Sequence, residues 1–136
     1  MFLLDTNVCI HLLNGRYPSI LENFKCATPS QIVLCSVVKA ELIYGARHSL
    51  QVESNLQLLS KFFAPLNSLS FDDRAAEEYG VIRADLSKQG KIIGPNDLMI
   101  ASIAKVSDVV LVTHNTKEFS RITGLRLVDW QEKLTI

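Results

Sequence analysis

Phe2-Leu3-Leu4-Asp5-Thr6-Asn7 decides how the rest of the chain is read. Three apolar residues end at a carboxylate, and two side chains able to hydrogen-bond to it follow. A short run with no polar alternation suits a strand covered on both faces, as in a parallel sheet. In an open parallel α/β sheet the positions just past the carboxyl ends of the strands share one edge and face a common crevice. Asp5 is expected there, with Thr6 and Asn7 positioned to hold it. Taken singly, Asp5 is also explained as a helix N-cap or an Asx turn.

The same layout recurs along the sequence. Short apolar runs at Phe2–Leu4, Ile32–Cys35, 66–70, 109–113 and 126–128 alternate with longer stretches of helical period. This is the pattern of βα units around a parallel sheet of about five strands flanked by helices. Val52, Leu56, Leu59 and Phe63, then Ala75, Tyr79, Ile82 and Leu86, predict two amphipathic helices, expected to pack together as a hairpin against the sheet. Asp72 or Asp73 would cap the second helix and Gly90 would close it, which accounts for those acids without catalysis. With neither linker nor repeat visible, residues 1–136 are expected to form one domain burying about two thirds of its unfolded surface.

Three more acids fall near the expected edge. Glu41 lies in Ser36-Val37-Val38-Lys39-Ala40-Glu41-Leu42-Ile43-Tyr44-Gly45-Ala46, a helix expected to be capped by Ser36, so Glu41 stands within about two turns of the crevice. Gly45, one turn later, costs about 1 kcal/mol in a helix and suggests close approach of another backbone. The alternative for Glu41 is a solvated helix glutamate. In Gly94-Pro95-Asn96-Asp97 two chain breakers precede the apolar run 98–104, and the N-terminus of that buried helix favours an ionised acid, whether as ligand or as plain cap. Thr113-His114-Asn115-Thr116-Lys117-Glu118-Phe119 again sets polar groups just beyond a strand. Four separate caps would account for these acids; one shared ligand at a common sheet edge accounts for them more economically and marks a candidate metal site.

Charge narrows the function classes. Fourteen Lys plus Arg balance fourteen Asp plus Glu, so no global positive field draws in a polyanion and any nucleic-acid contact is local. Lys88 and Lys91, in the loop leading to Gly94-Pro95, are the basic pair best set to touch phosphates, against the alternative of an ordinary solvated loop. Cys9, Cys26 and Cys35 lie in apolar stretches without a Cys-x-x-Cys pair and read as reduced core thiols of a cytoplasmic protein, not zinc ligands. The start lacks a basic leader and nothing approaches the ~18 apolar residues of a membrane span, so no membrane association is expected. His11 and His48 read as packing or surface residues.

Asp5-Thr6-Asn7, Glu41 with Tyr44-Gly45, Gly94-Pro95-Asn96-Asp97 with Ile100-Ala101, and Thr113-His114-Asn115 with Glu118-Phe119 together resemble the PIN-domain ribonucleases, particularly the VapC-type toxins of toxin-antitoxin pairs. Order and spacing over nearly the whole chain carry the resemblance. It implies a PIN-like three-layer α/β fold and a Mg2+- or Mn2+-dependent endoribonuclease. The catalytic acids map onto Asp5, Glu41 and Asp97, with Glu118 the most variable. Asp5, Asp97 and Glu41 would be the metal ligands, and Thr6, Asn7, Thr113 and Asn115 would support them. His114 departs from the family, which often carries Asn or Arg there, and reads as peripheral. The resemblance also implies RNA hydrolysis by activated water without a covalent intermediate, a small antitoxin partner over the acidic groove, and a homodimer through apolar helix faces, with 50–63 a candidate. Carboxylates crowded together raise one another's pKa unless a divalent cation compensates, and all-oxygen ligands suit magnesium or manganese.

Two other readings share part of this pattern. A haloacid-dehalogenase-like phosphatase also begins with an apolar strand ending in a catalytic Asp, but it wants a second acid two residues later; Asn7 cannot donate and recover a proton in that role. A PIN-like nucleic-acid-binding module without catalysis has no use for carboxylates where phosphates must approach.

Overall fold

The computed structural model describes residues 1–131; residues 132–136 of the expected domain lie outside the described residues. Strands β1 (Phe2–Leu4), β2 (Ile32–Cys35), β3 (Asn67–Leu69), β4 (Val110–Val112) and β5 (Leu127–Val128) form one sheet in the order β3-β2-β1-β4-β5. Every pair is parallel, with Leu3 opposite Val33 on one side and Leu111 on the other. The expected runs are all present: β1 and β2 keep their expected bounds, and β3, β4 and β5 are one or two residues shorter than expected. Leu3, Leu4, Val33, Leu34, Leu111 and Val112 are completely buried, which explains their unbroken apolar character. Only β3, an edge strand, exposes polar side chains, at Asn67 and Ser68.

Helices α1 (Thr6–Asn14) and α2 (Pro18–Cys26) connect β1 to β2, and α3 (Ser36–Arg47) with α4 (Val52–Phe63) connect β2 to β3. Helices α5 (Asp73–Lys88) and α6 (Pro95–Val106) carry the chain from β3 back to β4, and the short α7 (Thr116–Phe119) leads to β5. Right-handed crossovers that first run one way along the sheet and then the other put α1 to α4 on one face and α5 and α6 on the opposite face, giving three layers. The reversal lies between β1 and β4, where connections leave for opposite faces and open a crevice at the carboxyl ends. Buried side chains from sheet and helices form one cluster, with Trp130 and Phe119 its largest members. Among the described residues no helix is long and apolar enough to cross a membrane.

Several local expectations are corrected. α4 packs on α3, and α5 on α6, so the two amphipathic helices do not form a hairpin with each other. β3 separates them in the chain and the crossover reversal sends them to opposite faces. Cys35, not Ser36, is the N-cap residue of α3; Ser36 is already helical, and its hydroxyl accepts from the Phe71 N–H at 3.3 Å. Gly45 is exposed with nothing near the place of a Cβ, so no backbone approaches it. Cys9 and Cys35 are buried thiols, whereas Cys26 closes α2 and is exposed. Asp72 does cap α5 by accepting from the Ala75 N–H at 3.0 Å, and Gly90 takes the left-handed conformation just past its end, at φ 67°.

Candidate active site

Asp5 leaves the end of β1 and is only 8% exposed. One carboxylate oxygen accepts the Thr6 N–H at 2.8 Å, so Asp5 is indeed the N-cap of α1. Its other oxygen accepts the Thr113 hydroxyl at 2.8 Å from the end of β4. Cap and crevice residue are thus the same side chain, oriented across the two central strands. Thr113, fully buried, also accepts the Asn115 N–H at 3.0 Å, which fixes the turn into α7.

Glu41 reaches the same edge from α3. Its Oε1 accepts the Thr6 hydroxyl at 2.6 Å, tying α3 to the residue after Asp5. Asp97 lies in the first turn of α6 rather than at its cap, which is Gly94. Burial first, then the charges of Asp5, Glu41 and Glu118 in that order, together push the Asp97 carboxyl up to about 6. Asp5 is raised as well, chiefly by burial and slightly by Glu41, against the lowering pull of its bonds from Thr113 and Thr6. Glu118, in α7, accepts from the Asn115 amide at 3.1 Å. Four carboxylates from four elements therefore share one electrostatic field. Among the described residues no three acidic, histidine or cysteine side chains gather into a cluster able to grip an ion as they stand, so the acids ring the crevice without forming a closed shell.

Asn7 is exposed in the first turn of α1 and lines a recess with Asp5, His11, His114 and Asn115. Lys88 and Lys91 are exposed at the turn between α5 and α6, ahead of the helix end that carries Asp97. His114 turns to Asp129, its Nδ1 2.9 Å from a carboxylate oxygen. His11 packs edge-on against Tyr17 and the exposed His48 stacks on Tyr44. Sequence reasoning missed Asp129, which follows the apolar pair Leu127–Val128 just as Asp5 follows β1. It quoted Tyr44 and Asn96 without giving them a role, and they line a cavity with Thr6 and Glu41. Tyr44 sits at helical spacing from Glu41, the signal that would have found it.

The PIN domain family model matches residues 2–125. A protein named tRNA(fMet)-specific endonuclease VapC from Shigella flexneri is 41% identical over 129 residues, spanning 95% of this chain and 97% of its own. Its namesake from Salmonella typhimurium is 43% identical with the same coverage. Among solved structures, DNA-bound VapBC from Salmonella typhimurium superposes with a TM-score of 0.89 at 42% identity, covering 95% of this chain and 97% of that one. VapBC2 from Rickettsia felis, bound to a promoter DNA fragment, gives a TM-score of 0.88 at 38% identity over 95% and 98% of the two chains.

Proposed function

Since the chain belongs to the PIN-domain family and is a ribonuclease toxin of the VapC type, we propose that it is a divalent-metal-dependent endoribonuclease that hydrolyses RNA at the crevice between β1 and β4. The observation that carries this is the convergence of Asp5, Glu41, Asp97 and Glu118 on that edge, with Thr113, Thr6 and Asn115 bonded to three of them. Asp5, Asp97 and Glu41 would hold the ion, with Glu118 on the outer side. Two features support the fit. All four donors are oxygens, the set that magnesium and manganese take. Burial and neighbouring carboxylates raise the proton affinity of Asp5 and Asp97, a penalty that a divalent cation relieves, and the partly exposed Glu41, Asp97 and Glu118 have room to turn toward it. When bound, such an ion polarises the scissile phosphate and makes water a competent nucleophile near neutral pH.

The chain's own groups do the positioning. Thr113 and the Thr6 N–H fix the Asp5 carboxylate, the Thr6 hydroxyl fixes Glu41, and the first turn of α6 carries Asp97. Lys88 and Lys91 would meet the RNA backbone as point charges. Transfer RNA, the substrate in the names of the Shigella and Salmonella relatives, is the first RNA to try. Structures of VapBC complexes among the relatives support a small antitoxin as partner, and the exposed Leu50 and Leu58 beside and on α4 would serve a homodimer, which light scattering would read. The setting would be the cytoplasm, where RNA and antitoxin are both at hand.

The decisive assay incubates transfer RNA with the protein and magnesium or manganese, with and without chelator, beside Asp97→Asn. Wild type should cut only with metal, and Asp97→Asn should be slower by about 10²–10³-fold. Cleavage that ignores both the chelator and the substitution would overturn the proposal. Hydrolysis of a phosphomonoester but not of RNA would favour the phosphatase, and metal-free binding that survives loss of Asp5 would favour the binding module. Joint replacement of Lys88 and Lys91 by Ala should weaken RNA binding and flatten its salt dependence by about 0.7 in log-log slope per lysine.

A further inference from the structure

We propose that Tyr44, stacked on His48 beside the acidic crevice, is a platform for an unpaired nucleobase of the RNA. The inference rests on the ribonuclease reading above and adds to it a residue that holds one base of the substrate. Tyr44 is 69% exposed, so core packing does not explain it. Its ring lies nearly parallel to that of His48, at 12° with centroids 5.6 Å apart, an offset stack that limits the ring's motion. A held, solvent-facing ring loses little freedom when a second flat group settles on it.

Its location supplies the ligand class. Tyr44 follows Glu41 by three residues on α3, so both side chains project on neighbouring parts of one helix face. Together with Thr6, Ser36, Asn96 and Met99 they line an open cavity of about 590 Å³, within the range that holds small organic groups. The cavity therefore runs from the acids that would attack the phosphate to an aromatic rim. Met99 offers a soft apolar surface, while the exposed Asn96 amide carries both donors and an acceptor for a base edge. A nucleotide next to a scissile phosphate has the same division, charge at one end and a flat π-face with a polar edge at the other. Bases within a duplex have both faces covered by their neighbours, so only an unstacked base can use such a rim.

The test is equilibrium binding of a labelled single-stranded RNA by the Asp97→Asn protein, whose slowed cleavage leaves the RNA intact over the measurement. On that background Tyr44→Ala should weaken binding by about 5- to 100-fold, the range for loss of one base–aromatic stack, with the salt slope unchanged. Tyr44→Phe and Tyr44→Trp should restore it. An abasic sugar at the matching register should weaken the parent equally and do nothing further to Tyr44→Ala. Duplex RNA should bind all variants alike. The exposed site makes folding of Tyr44→Ala straightforward to verify by thermal unfolding. Full-strength binding by Tyr44→Ala while wild type still cuts RNA would overturn this inference alone. So would a loss of binding that coincides with dissociation of an oligomer in light scattering, because Tyr44 would then belong to a protein interface. Neither binding nor cleavage of RNA by wild type would overturn the ribonuclease reading and this inference with it.

Discussion

Asp97 is held in a conflict that makes it measurable. Burial and three neighbouring carboxylates lift its pKa from the ordinary 3.8 to about 6. Between those values the folded protein binds a proton that the unfolded chain has released, so stability is lost as pH rises through the window, and the loss is complete above about pH 6. In chelator, Asp97→Asn should therefore unfold at a higher temperature than wild type at about pH 7.5, and the gap should close near pH 4. A gap of equal size at both pH values would show that ionisation of the buried Asp97 carboxyl is not its source. At this scale the sequence was most legible where the backbone order does the work: Asp5 and Asp97 sit where a strand end and a Gly-Pro break put them. Hydrogen-bond partners were less so. Asn7, adjacent to Thr6 in sequence, is exposed, while Thr6 turns its hydroxyl to Glu41, 35 residues away. Such choices depend on side-chain torsions that only packing fixes.

Among the elements, α6 carries the greatest demand. Leu98, Ile100, Ala101, Ile103 and Ala104 are buried on nearly every side, because the helix lies between α5 and the sheet. Leu98 directly follows Asp97 and is 1% exposed, so its packing anchors the turn that presents the carboxylate. Leu98→Ala should cost about 2–5 kcal/mol in denaturant unfolding and should also lower the cleavage rate of the protein that remains folded. Normal activity per folded molecule would mean that Asp97 is held by the backbone of the turn alone. The apolar period of α4 and α5 was plain in the sequence, yet their pairing was misread. Leu59 and Ile82 show that a helix has an inner face, but not which neighbour lies against it. Gly45 was misleading for a similar reason: glycine permits close approach without requiring it.

For the whole molecule the governing feature is the reversal of strand order between β1 and β4. It brings Asp5 beside Thr113 although 108 residues separate them, and it lets α3, α6 and α7 point their acids at one opening. An opening of this kind should bind its ion only when folded. Titration with manganese should raise the unfolding temperature of wild type, by about 2.7 kcal/mol of stability at a hundredfold excess over Kd, and should do far less for Asp97→Asn. Equal stabilisation of both proteins would mean that the cation binds elsewhere. The sequence by itself determined the alternation of strand and helix, the apolar core and the acids at strand ends, because these follow from periodicity and chain breakers within a few residues. The tertiary structure alone decided that α4 and α5 part company, that Thr6 serves Glu41, and that Tyr44 rims a cavity. Those outcomes depend on distances between segments remote in the chain, and no local pattern encodes a distance.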